Sequence, residues 1–145
     1  MNLIKNNSII YLVARLIVGA IFIAFAADKV TDPSTFANSI SNYNIMPEPS
    51  INIMAIILPW VEMVVGLMLI FGVKVKANAF IATALLFVFT LAVVSALARG
   101  LDISCGCSSN SPKVGWEKVL ENTGLILCGI IAYISRSNAF SLKSN

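Results

Sequence analysis

Cys105-Gly106-Cys107, in a short polar stretch between two long apolar runs, is the part of this chain best suited to chemistry. Two thiols one residue apart form a disulfide only by closing a very small ring, far from relaxed bridge geometry. Strain of that kind makes a bond easier to reduce. A structural staple gains most by closing a long loop, and this pair closes almost none. The spacing therefore points to thiol–disulfide redox chemistry or to soft-metal binding. With no histidine in the chain and few acids near the pair, a closed four-ligand zinc site is disfavoured. Two thiolates would still suit Cu(I), but no metal is assigned.

Two ionisable residues, Arg15 and Glu62, fall inside apolar runs. A lone charge in a membrane costs several kcal/mol, so the two are expected to face inward and pair. Such a pair can simply fix helix register, or it can serve proton transfer or hold a polar head group. Pro59, three residues before Glu62, removes a helix hydrogen bond and leaves the Ala55 carbonyl free. That arrangement suits a small polar cavity, although prolines also occur in ordinary membrane helices. Arg99 and Lys113 flank the cysteine pair and would lower a thiol pKa, with Asp102 opposing them. Cys128 lies about a dozen residues into the last apolar run. It reads as packing rather than as a resolving thiol.

The elements that must position these residues are helices in a bilayer. Hydrophobic residues make up 58% of 145 positions and charged residues only 12%, and the mean hydropathy is +0.87. These values lie well outside the soluble globular range. The apolar residues form blocks of about 20 residues, each able to cross a hydrocarbon core about 30 Å thick. The expected fold is all-α: a polytopic four-transmembrane-helix bundle forming one integral membrane domain over 1–145, with helices at about 9–27, 51–71, 77–97 and 116–134. Lys5 and Ala24-Phe25-Ala26 imitate a cleaved signal peptide, but the length of the first run and Arg15 within it favour a retained helix. Residues 34–43 are expected to form a short interfacial helix. The 72–76 stretch reads as a tight turn that makes helices two and three antiparallel neighbours.

Charge orients the bundle. The N-terminus, the 72–76 turn and the C-terminal tail carry Lys5, Lys74, Lys76, Arg136 and Lys143 and no acid, whereas the two long loops mix basic and acidic residues. The positive-inside rule then leans toward both termini in the cytoplasm and the cysteine pair on the outer face, where disulfides persist. A bacterial inner (cytoplasmic) membrane location is expected. The net charge of +3 gives no reason to expect a nucleic-acid partner.

In order and spacing, a set of residues resembles the methylamine-utilisation MauE / DoxX group of small four-helix membrane proteins. The set comprises Arg15-Leu16-Ile17-Val18-Gly19, Phe22, Lys29, Asp32-Pro33, Phe36, Tyr43 and Pro47. It continues through Leu58-Pro59-Trp60-Val61-Glu62, Gly66-Leu67, Gly72, Arg99-Gly100, Cys105-Gly106-Cys107 and Trp116. The match runs from Arg15 to about Leu127. The group often has Phe-Gly after the cysteine pair, where this chain has Ser108-Ser109, and Arg-Asp or Arg-Asn where it has Glu121-Asn122. The resemblance implies a redox-associated membrane protein, and Lys29, Pro59, Arg99 and Trp116 are candidate supporting residues. MauE is linked to maturing the disulfide-rich small subunit of methylamine dehydrogenase, and DoxX relatives to quinone-coupled sulfur oxidation. A shared scaffold does not by itself fix a shared reaction.

The leading expectation is membrane thiol–disulfide exchange. Cys105 and Cys107 would pass electrons between an extracytoplasmic thioredoxin-like or disulfide-containing partner and a membrane acceptor, with quinone as the candidate cofactor. The alternatives are a non-enzymatic accessory subunit with structural or metal-binding cysteines, and a small transporter built around Arg15 and Glu62. Membrane lipid surrounds the chain in every case.

Overall fold

The computed structural model describes residues 2–101 and 115–134, with side chains described from residue 9 onward. Five helices account for nearly all of it: α1 (Asn2–Thr31), α2 (Pro33–Asn42), α3 (Glu48–Phe71), α4 (Val75–Ala98) and α5 (Trp116–Ile134). Among the described residues there is no strand. The chain is an all-helical membrane bundle, and α1 from Ile9, α3 and α4 are each long and apolar enough to cross a bilayer. α5 carries Glu117, Lys118 and Glu121 in its first two turns, so only its later part is continuously apolar. At 19 residues it still extends about 28 Å and forms the fourth wall of the bundle.

Neighbours in the bundle follow a closed ring. α1 packs on α3 and α5, α4 packs on α5 and α3, and α2 lies against α3. Gly19 meets Gly66 and Ile70 while Ile23 meets Gly66, which sets α1 and α3 antiparallel. Thr83 meets Gly129 and Phe80 meets Tyr133, with ring centroids 6.3 Å apart, so α4 and α5 are antiparallel too. The start of α1, the α3–α4 turn and the end of α5 therefore share one end of the bundle. The end of α1, α2, the end of α4 and the start of α5 share the other.

The turn between α3 and α4 is as short as its sequence suggests. Gly72 adopts φ 74 and terminates α3, with Gly72 N–H donating to Leu69 O at 3.3 Å and Val73 N–H to Met68 O at 2.9 Å. This is the left-handed stop that glycine adopts without steric cost. The Asn78 amide then donates to the Val73 carbonyl at 2.8 Å and closes the turn.

Large side chains point outward and small ones inward. Ile53, Ile56, Ile57, Trp60, Phe71, Phe80, Phe87 and Val88 are exposed, whereas Ala26, Ala79, Ala82 and Ala96 are fully buried. In water this arrangement would be unstable. In lipid, where tails are as apolar as leucine, helices associate through close packing of small residues and through internal polar contacts. Val18, Phe22, Val65, Leu69, Leu86 and Leu125 complete the core.

The helix boundaries differ from the sequence expectation mainly in α1. Its apolar run stops near Ala27, but the helix continues through Asp28 and Lys29 to Thr31. The stop is supplied by Asp32 and Pro33. Asp32 caps α2, accepting from Thr35 N–H at 3.1 Å, Thr35 Oγ1 at 2.6 Å and Ser34 Oγ at 2.7 Å, and Pro33 occupies the first turn, where its missing N–H is not needed. The Thr35 and Ser34 hydroxyls hold the Asp32 carboxyl down to about 2. Because that pKa is depressed, the cap contributes fully above the ordinary carboxylate range and is lost as pH falls through about 2. Asp32→Ala is expected to speed hydrogen exchange across residues 33–42 at neutral pH, with little change in α3 or α4. Unchanged exchange in α2 would show that packing alone holds it.

Candidate functional site

The buried stripe of each helix identifies the side chains that meet inside. On α1 it runs through Arg15, Val18, Phe22, Ala26 and Lys29, a spacing of three and four that keeps one face inward. On α3 it runs through Ile51, Ala55, Pro59, Glu62, Gly66 and Leu69. On α5 it runs through Lys118, Asn122, Leu125, Gly129 and Ala132. Three cations and one carboxylate therefore face inward from these stripes.

Glu62 pairs with Lys29. The Lys29 ammonium donates to Glu62 Oε1 and Oε2, each at 2.8 Å, and the two side chains are only 4% and 9% exposed. The ammonium also lies over the Phe36 ring at 4.8 Å and the Phe89 ring at 5.3 Å. Two carboxylate oxygens and two ring faces thus replace the water that a lysine normally requires. Pro59 lies fully buried one turn before Glu62, where it interrupts the backbone bonding of α3.

The expected Arg15–Glu62 pair is not formed. The Gly19–Gly66 contact fixes the register of α1 against α3, and it places Arg15 level with the residues near Ile70. That is eight residues from Glu62, about 12 Å at helical rise. Lys29 lies on the same stripe fourteen residues further on, and its side chain reaches back toward the bundle centre to meet the carboxylate. Arg15 is itself buried, and its Nε has no hydrogen-bond partner among the described residues.

Around the ion pair lie residues that were not expected at the site. Asn122 is 1% exposed and its amide nitrogen has no hydrogen-bond partner among the described residues. It shares a small cavity of about 20 Å³ with Lys29, Glu62, Phe22 and Phe25, enough for one water bridging the amide and the ion pair. Lys118 is buried over the Phe25 ring at 5.1 Å and donates to Glu121 at 2.7 Å. The other side of Glu62 faces a larger cavity of about 340 Å³ between α2, α3 and α4. The signal for these residues was the stripe spacing on α5, which puts Lys118 and Asn122 on the face of Gly129 and Ala132.

Of the other candidates, Arg99 ends α4 and its guanidinium donates to the Tyr43 carbonyl beyond α2. That contact ties the end of α4 to the residue that follows α2. Trp116 opens α5 and is 71% exposed, as suits a residue at a membrane–water boundary. Cys128 is a free thiol packed at the edge of the core. Cys105, Cys107, Lys113 and Asp102 lie outside the described residues, between Leu101 at the end of α4 and Gly115 at the start of α5.

A ring of apolar helices sealed by a buried lysine–glutamate pair defines a multi-pass membrane protein with a polar interior, and the comparisons with known proteins specify it further. The family model for the methylamine utilisation protein MauE matches residues 7–135, and the chain belongs to that family. It is similar to the methylamine utilization protein MauE of Paracoccus denitrificans, 32% identical over 74% of this chain and 60% of that protein. It is likewise similar to MauE of Methylorubrum extorquens, 30% identical over 70% of this chain and 56% of that protein, and to MauE of Methylophilus methylotrophus, 28% identical over 90% of this chain and 70% of that protein. The chain thus spans little more than half the length of the first two relatives. No solved structure matches it significantly.

Proposed function

We infer that this chain serves methylamine utilisation as a membrane thiol–disulfide exchange protein. The observation that carries the reading is the Cys105-Gly106-Cys107 motif in the α4–α5 connection of a MauE-family bundle. The connection begins and ends at the α2 end of the bundle. The basic, acid-free residues at the opposite end support a bacterial inner (cytoplasmic) membrane orientation with both termini cytoplasmic and the cysteines outside.

In the proposed cycle a thiolate of a disulfide-forming client, or of a thioredoxin-like partner, attacks the Cys105–Cys107 disulfide and forms a mixed disulfide. The client's second thiol then resolves it. The client loses two electrons and two protons as its disulfide forms, and Cys105 and Cys107 gain them as two thiols. Oxidation of the dithiol by a membrane quinone transfers the same two electrons and two protons, gives quinol and restores the starting state. Arg99 and Lys113, near the pair in sequence, would favour the thiolate form, with Asp102 opposing them.

The test is complementation in a strain lacking the gene, with covalent complexes identified by mass spectrometry. Cys105→Ser and Cys107→Ser are each expected to lose function, and at least one to accumulate a mixed disulfide with a client. Cys128→Ala is expected to keep function. An impermeant thiol reagent applied to intact, mildly reduced cells should label the pair. Full function in the Cys105/Cys107 double serine variant would end the redox reading, and labelling only after permeabilisation would reverse the orientation.

A further inference from the structure

We propose that the cavity of about 340 Å³ between α2, α3 and α4 is a binding site for a neutral, bilayer-soluble lipophile whose polar head donates a hydroxyl proton to Glu62. This goes beyond the thiol chemistry and holds whether or not the cysteines exchange electrons. The volume lies within the range of small-molecule sites, roughly 300–1,000 Å³, and far exceeds what one or two waters would fill. Apolar side chains line nearly all of it, and Glu62 is the single acidic or basic residue on its wall among the described residues. Val88 and Leu91 on its wall are exposed on the outer face of α4, a helix long and apolar enough to cross a bilayer. A ligand can therefore enter sideways from the bilayer without crossing water.

The chemistry of the head group follows from how Glu62 is held. Lys29 meets the carboxylate from the side of the small Asn122 cavity and does not line the larger one. Each oxygen accepts one bond from the ammonium at 2.8 Å and keeps a lone pair for another donor. At this end the cavity thus offers acceptor capacity, and a donor suits it better than a carbonyl or an ether. The lysine–glutamate pair is already neutral. A charged head would add an uncompensated buried charge, so the ligand is a neutral alcohol or phenol rather than a carboxylate or an amine. Phe36 and Phe89 line the space beside Glu62 and favour a flat ring there.

Calorimetric titration of the purified full chain in detergent micelles, referenced to matched empty micelles, tests this with 4-hexylphenol as the probe. Saturable one-to-one binding of 4-hexylphenol is expected, with 4-hexylanisole, which lacks the donor, binding about tenfold or more weakly. That is the range expected for one hydrogen bond to a charged acceptor. 4-Hexylbenzoate should bind no better than the ether. Ala92→Phe projects a ring into the cavity from α4, leaves the ion pair intact and should abolish phenol binding while the protein keeps its thermal transition. Equal affinity for phenol and ether, tight binding of the benzoate, or no saturable phenol binding by the folded wild-type chain would each overturn the proposal. Undiminished binding to folded Ala92→Phe would overturn the location. The phenol–ether comparison on the wild-type chain decides the head-group chemistry even if the variant does not fold.

Discussion

Lys29→Met is expected to destabilise the bundle by about 3–5 kcal/mol, the range for breaking a buried ion pair by removing one partner. The reason is the carboxylate left behind. Glu62 lies on the inner stripe of α3, far from either helix end, and without Lys29 its carboxylate is left among largely apolar cavity walls. Glu62→Met should cost less, because Lys29 is two residues from the end of α1 and its long side chain can turn outward to the interface. The double Lys29→Met, Glu62→Met variant should recover much of the loss, since a close-packed apolar pair replaces the charges. Reversible denaturation in mixed micelles gives all three values. Coupling should be strong between Lys29 and Glu62 and near zero between Arg15 and Glu62. If Arg15→Met and Glu62→Met couple as strongly as the lysine pair, the register of α1 against α3 is wrong.

That register rests on glycine, and Gly66→Ala is the second large effect. A Cβ at Gly66 would come within 2.8 Å of the Gly19 carbonyl oxygen and 3.2 Å of the Ile23 backbone nitrogen. Backbone atoms cannot rotate away as a flexible side chain can, so α1 and α3 must separate. A cost of about 1–3 kcal/mol is expected, the usual range for overpacking a dense interface. Gly66→Leu should cost more and should also weaken the coupling between Lys29 and Glu62, because the helices no longer hold the ammonium against the carboxylate. Gly124→Ala supplies the control. Nothing lies within 4 Å of a Cβ there, so the substitution should be neutral or stabilise α5 by up to about 1 kcal/mol through helix propensity. Equal effects at positions 66 and 124 would show that the close contact contributes nothing.

Much of the architecture was legible in the sequence, and its limits have physical causes. Apolar runs of membrane length, punctuated by Asp32-Pro33 and by Gly72, mark the helices because lipid demands continuous apolar segments and because these residues stop helices. The inward placement of Glu62 followed from the cost of an unpaired charge in lipid. Its partner did not follow, because Arg15 and Lys29 share one stripe about 21 Å apart and hydropathy favours the arginine inside the apolar run over the lysine beyond it. Deciding between them needs the vertical alignment of two helices, which a glycine contact sets and composition does not reveal. Lys29 was further disguised by the polar residues beside it, which make the end of α1 look like loop. Lys118 and Asn122 were hidden in the same way at the start of α5, although their spacing from Gly129 and Ala132 placed them on the inner face. The cavity beside Glu62 had no sequence signal, since it arises from how α2, α3 and α4 converge.

The inward reach of Lys29 also orders the events of biogenesis. When α1 first partitions from the translocon, α3 has not been made and the carboxylate is absent. Lys29 is then near enough to the membrane surface to keep its ammonium hydrated among the lipid head groups, and α1 is not burdened with a stranded charge at that end. Glu62 has no such refuge once α3 enters, so it must find the lysine promptly or delay its own insertion. Neutralisation would then wait for the second long helix. Chains truncated before residue 62 should insert α1 normally. Full-length chains carrying Lys29→Met should linger with α3 incompletely inserted, open to membrane-protein quality control.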